Sequence, residues 1–118
     1  TLVKDSSSPA VYILEYGKKR PFSSFEVFIG LNYHRLPIVT MDTSVIPMGD
    51  GIFTKDQRHT RGTLILQDGT VYYLGASIKY GFPSKAVFDS WGRSFSEIIP
   101  GNSFDRCIPD GPIVEMRT

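Results

Sequence analysis

Cysteine is almost missing from this chain. Cys107 stands alone, which excludes an internal disulfide and the usual multi-cysteine zinc sites. Charge of one sign is missing too. Thirteen basic residues against twelve acidic ones leave a net charge of +1, so no bulk field draws in nucleic acid or anionic lipid. No apolar run approaches the roughly 20 residues of a membrane helix. The opening "TLVKDSSSPA" has neither the charged start nor the apolar centre of a signal peptide. Neither a nucleic-acid partner nor a transmembrane segment in this chain is expected.

Chemical signatures are equally scarce. The chain contains no G-x-S-x-G, no P-loop, no dinucleotide fingerprint and no D-x-D-x-D-G calcium loop. His34 and His59 lie far from Cys107, from each other and from any carboxylate cluster at metal-ligand spacing, and both read as surface or connector histidines. Paired carboxylates of the kind glycoside hydrolysis uses could meet in space, but Glu15, Glu26, Asp89 and Glu97 have no matching acidic partners between the two halves of the chain. No catalytic residue, metal or cofactor is expected, and the chain reads as noncatalytic.

What the sequence does contain is itself, twice. The stretch "AVYILEYGKKRPFSSFEVF" (10–28) returns as "TVYYLGASIKYGFPSKAVF" (70–88). A shift of 60 makes identical pairs of Val11/Val71, Tyr12/Tyr72, Leu14/Leu74, Lys19/Lys79, Phe22/Phe82, Ser24/Ser84, Val27/Val87, Phe28/Phe88 and Ile38/Ile98. A shift of 62 pairs Thr1-Leu2 with Thr63-Leu64 before this block, and Ile46, Pro47 and Gly49 with Ile108, Pro109 and Gly111 after it. Both changes of register fall in turn-forming segments, where insertions are tolerated. Internal repetition sets the unit of folding. The expected division is therefore unit one at 1–54, a connector at 55–61 and unit two at 62–118. With 41% hydrophobic and 21% charged residues, the composition is that of a folded chain.

Each unit begins with a short apolar strand, "TLVK" or "TLILQ", followed by "VYIL" or "VYYL" and then "KKRPF" or "IKYGF". Asp68-Gly69 signals a two-residue hairpin. One helix per unit follows, in "SSFEVFIGLN" and "PSKAVFDSWG", with an apolar face at Val27, Phe28 and Leu31 or Val87, Phe88 and Trp91. Ser23 with Glu26 suggests a capping box in unit one, and Pro83 suggests a first helical residue in unit two. Asn32 and Gly92 suit a left-handed C-terminal cap. "LPIVT" and "SEIIP" read as short buried strands. The fold class is α+β, mostly β: a tandem repeat of two small β-meander-plus-helix units, with Ile52 and Phe53 expected to carry the sheet or core across the connector.

Comparing copies also tests individual residues. Cys107 aligns with Val45 and reads as a small buried hydrophobe, while Trp91 aligns with Leu31 and reads as core rather than as a sugar platform. The basic run Lys18, Lys19, Arg20 reads as a solvated strand face. Tyr16, Tyr33, Tyr80 and Phe104 lack an aromatic counterpart, so together with Lys18 and Arg20 they are the candidates for partner contact.

The ensemble "TLVK…AVYILEYGKKRPFSSFEVFIGL…VIPMG" and "GTLILQDGTVYYLGASIKYGFPSKAVFDSWG…CIPDG" resembles tandem repeats of about 60 residues in predicted surface and secreted proteins of bacteria and archaea. Those repeats read G-T-L-[VI]-K, V-Y-hydrophobic, G-K-R-x-[PF], a helix ending in W-G or L-G, then P-x-G. Asn32 and "KYGF" depart from that pattern. The resemblance implies an extracellular or cell-surface setting and a structural or interaction role, with protein neighbours in a surface assembly as partners. Cell-wall polysaccharide, bound through exposed tyrosines, is the alternative partner. Because the chain opens at "TL" and stops where another "GTL" would begin, it is expected to be a piece of a longer array.

Overall fold

The computed structural model describes residues 1–115. The chain divides between Lys55 and Asp56 into two compact units, each an α+β structure built on a four-stranded mixed sheet. In the first, β1 (Leu2–Lys4), β2 (Val11–Glu15) and β3 (Lys18–Pro21) form the antiparallel meander. α1 (Phe25–Gly30) follows, and β4 (Ile38–Thr40) returns to lie parallel to β1. The second unit repeats this with β5 (Leu64–Gln67), β6 (Thr70–Leu74), β7 (Lys79–Gly81), α2 (Lys85–Ser90) and β8 (Ile98–Pro100). Register is shared as well as order. Leu2 faces Ile13 and Ile38, and the equivalent Leu64 faces Tyr73 and Ile98.

Local chemistry explains the matching boundaries. Each meander has one two-residue turn of positive φ, though at different hairpins: Tyr16-Gly17 joins β2 to β3, and Asp68-Gly69 joins β5 to β6, the mirror-image turns that match strand twist. In both helices the serine shared by the repeats is the N-cap: Ser24 accepts from the Val27 N–H, and Ser84 from the Val87 N–H. This corrects the expectation of different start chemistry, because Ser23 and Pro83 lie one residue before the caps. Asn32 (φ 64°) and Gly92 (φ 71°) supply the left-handed residue beyond each helix. Each serine cap contributes about 1 kcal/mol. Ser24→Ala and Ser84→Ala are expected to lower stability by similar amounts of that size in urea titrations.

The I-P-x-G element covers the free edge of β3 and of β7. The Pro47 carbonyl accepts from the Lys19 N–H, and the Gly49 N–H returns to the Lys19 carbonyl; Pro109, Lys79 and Gly111 repeat the exchange. Glycine is needed for this close approach. A Cβ on Gly49 would lie 3.0 Å from the Lys18 Cβ, and one on Gly111 would lie 2.6 Å from Ile78 Cδ1. The segment then continues with the Ile52 N–H donating to the Pro21 carbonyl, as the Val114 N–H donates to that of Gly81. Edge strands are thereby closed to unwanted pairing.

The first core gathers Leu2, Val3, Ile13, Val27, Leu31, Tyr33 and Ile52; the second gathers Leu64, Ile65, Leu74, Val87, Phe88, Ile99 and Ile108. Several expectations need correction. β4 is exposed along its length, because its inner backbone edge pairs with β1 while no layer covers its side chains. Phe53 is 74% exposed, so only Ile52 serves the core. Val45 and Cys107 are equivalent as expected, yet both are exposed: they end short 3-10 turns that direct their side chains outward. Trp91 is 41% exposed where Leu31 is buried.

Candidate functional site

Three places gather polar or aromatic side chains. The first is a corner wired beneath each I-P-x-G element. Lys19 Nζ donates to the Thr43 carbonyl at 2.8 Å and lies 5.0 Å from the Tyr12 ring centre. Its equivalent Lys79 donates to the Asp105 carbonyl at 3.4 Å and lies 4.7 Å from the Tyr72 ring centre. These shared lysines are not the solvated strand face expected of the basic run. Each holds a turn carbonyl and packs on an aromatic face.

The carboxylate of this corner comes from different places in the two units. In the first, Asp5 accepts from the Thr43 N–H and Oγ1, and these bonds hold its carboxyl below the usual range. In the second, the carboxylate sits on the turn as Asp105. It accepts from the His59 N–H at 2.8 Å, His59 Nδ1 at 2.6 Å and the Asn102 N–H at 2.9 Å. Both side chains of this pair are fully buried. Burial raises the Asp105 carboxyl, but the bond and charge of His59 and the backbone donors outweigh it, so the net shift is downward. His59 is therefore not a surface or connector histidine. Residues 57–59 are bound into the second unit: Asn102 donates to the Gln57 carbonyl, and Arg58 donates to those of Gly75 and Ala76. In both units the carboxylate of this corner is hydrogen-bonded within the fold, and in the second it is also buried.

The second place is a shallow basin of about 540 Å³ beside β3, lined by Tyr16, Lys18, Arg20 and Met48 among others. It brings together three of the six candidate contact residues. Arg20, however, is bound to Glu15 Oε1 at 2.7 Å and to the Asp50 carbonyl at 2.9 Å, which spends its charge inside the fold and leaves a poor anion cradle.

The third is a groove of about 650 Å³ in the second unit, lined by Tyr73, Tyr80, Phe82, Trp91, Arg93 and Val114 among others. Tyr80 lies on β7 with its ring 6.4 Å from that of Tyr73. The Trp91 indole N–H donates to the Glu115 carbonyl at 2.9 Å, and Arg93 Nε to Glu97 at 3.1 Å. Of the other candidates, Tyr33 is fully buried against Phe22, with ring centres 5.5 Å apart, and so offers no contact face. Phe104 is 42% exposed at the start of a 3-10 turn, away from these residues in the chain.

Sequence reasoning missed Trp91 and Arg93. A signal was present: at these two positions the copies disagree, Leu31 against Trp91 and Tyr33 against Arg93, close to the shared Val27-Phe28 and Val87-Phe88. Among the described residues, no group of three or more His, Cys, Asp or Glu side chains could hold a metal ion. No helix of the described residues is long and apolar enough to cross a membrane.

No protein-family model matches the chain, and no curated protein sequence matches it. Among solved structures it is similar to a chain of the periplasmic assembly from the ESX-5 inner membrane complex, with 10% identity and a TM-score of 0.36. That alignment covers 99% of this chain and 41% of the other, so the present chain spans less than half of its neighbour's length.

Proposed function

We propose that this chain is a noncatalytic structural and interaction module of a cell-surface or secreted protein or assembly. The observation that carries the reading is how the repeat spends its shared polar side chains. Lys19 and Lys79 brace turn carbonyls, and Ser24 and Ser84 cap helices. Groups bound into the scaffold in both copies are not available for chemistry. The surface setting rests on the likeness of the "GTL…VY…GKxxF…IPxG" pattern to repeats of surface and secreted proteins. Repetition suits contact work, since each unit adds a surface and weak contacts multiply into avidity.

The aromatic groove at Tyr73, Tyr80 and Trp91 favours one second reading, a carbohydrate- or peptidoglycan-binding module. A paired retention assay separates the two. The purified chain is passed over isolated cell-wall polysaccharide and over solubilised envelope proteins of the source organism, in low and high salt. Retention by a defined protein partner, with none on polysaccharide, is the expected result. Retention on polysaccharide alone, abolished by Tyr80→Ala, would replace the leading reading with the second.

A further inference from the structure

The two copies of the scaffold differ where the groove lies. In the first unit Ile13, Leu31, Tyr33 and Ile52 are all at most 2% exposed, and the Tyr33 ring packs on Phe22. Their equivalents in the second unit are Tyr73, Trp91, Arg93 and Val114, and each of these lines the groove together with Phe82, the equivalent of Phe22. The Phe–Phe pair of the floor is shared, Phe22 meeting Phe28 edge-on at 5.0 Å and Phe82 meeting Phe88 edge-on at 5.2 Å, and in the second unit Phe95 also stacks on Phe88 at 5.1 Å. What differs is the plug. One unit supplies a tyrosine from its own chain; the other has an arginine there, turned to Glu97, and the space above Phe82 is open.

We propose that the groove of the second unit is a socket for an aromatic side chain, tyrosine or phenylalanine, presented by a polypeptide partner. This deepens the interaction-module reading and rests on it. The first unit shows the ligand chemistry the scaffold accepts at this position, because its own Tyr33 fills the equivalent place to complete burial. Tyr73, Tyr80 and Trp91 extend the walls of the slot with aromatic surface, whose edge-to-face contacts favour a further ring. A saccharide fits less well. Its hydroxyls need directional polar groups, and the Trp91 N–H is bound to the Glu115 carbonyl while Arg93 Nε is bound to Glu97.

The test is a nitrogen-15 NMR titration of the whole chain. The probes are p-cresol and a blocked Gly-Tyr-Gly peptide, with blocked Gly-Ala-Gly and a chitooligosaccharide as comparisons. Saturable shifts of the Trp91 indole and the Arg93 and Val114 amides are expected with the two phenolic probes, and none with the alanine peptide or the sugar. Arg93→Tyr restores the internal plug and should weaken phenolic binding at least about tenfold, with a dispersed spectrum reporting that the variant folds. Should it not fold, Ile113→Glu, which places a charge on an exposed rim residue, should produce the same loss. Absence of saturable phenolic shifts, unaltered binding in a folded variant, or shifts with the sugar alone would overturn the socket. Partner retention that neither variant changes would leave the interaction reading standing without the socket. Phenolic binding without any partner retention would do the reverse.

Discussion

Asp105→Ala is expected to destabilise the second unit by about 3 to 5 kcal/mol, the range for breaking a buried pair from one side. The carboxylate is fully buried and gathers three donors: the backbone N–H and Nδ1 of His59 and the Asn102 N–H. Alanine leaves each without its acceptor, and orphaned buried donors are what make the loss large. Urea unfolding followed by the fluorescence of Trp91, the chain's one tryptophan, measures it. The pH dependence has a definite sign. Asp105 has a folded pKa below its ordinary value of 3.8, so its contribution is fully present above that value and is lost as pH falls through the lower folded one. The gap between wild type and Asp105→Ala should therefore be widest near neutral pH and close under strong acid. A gap that stayed constant through the acid range would mean the carboxylate is not the group responsible.

Tyr33→Ala is the second large effect, about 3 to 5 kcal/mol from the first unit. Tyr33 is fully buried against Phe22, near Phe28 and within the core that Leu31 and Ile52 complete. Truncation removes most of a ring and leaves a cavity that the short helix and three-residue strands have little freedom to close. Tyr80→Ala is the informative comparison. Both residues are tyrosines without an aromatic counterpart in the other copy, but Tyr80 lines an open groove, and its loss should cost less than about 1 kcal/mol. Amide exchange resolved by NMR distinguishes the two, because protection in β1 and β2 should collapse in the first variant and persist in the second. Equal costs would contradict the difference in burial between the two tyrosines.

Much of this scaffold was legible because the duplicated residues hold backbone tasks that leave local marks. Asp68-Gly69 marks a turn, Asn32 and Gly92 mark left-handed caps, and the gaps between copies fall in loops. The I-P-x-G element was visible as a motif, but its purpose was not: the exchange between Pro47, Gly49 and Lys19 joins residues about 30 positions apart. The parallel pairing of β4 with β1 left no local trace either, since a three-residue apolar segment reads alike beside any neighbour. His59 and Asp105, separated by 46 positions, are brought together only by the tertiary fold.

The candidate contact residues were harder still, for a related reason. An aromatic without a counterpart in the other copy can be an exposed addition or a core plug. Tyr33 is the plug and Tyr16, 62% exposed at its turn, is the addition. Their spacing does not separate them, because burial is decided by which elements close over each ring. Disagreement between copies at a core position is the more informative sign, and Trp91 and Arg93 stand opposite the buried Leu31 and Tyr33.

That two halves of one chain build the same scaffold is tested most directly by interstrand nuclear Overhauser contacts in the labelled protein. Parallel-strand contacts are predicted between Leu2 and Ile38 and, in matching pattern, between Leu64 and Ile98. Finding them in one half only, or finding the late strands antiparallel to their partners, would contradict the account.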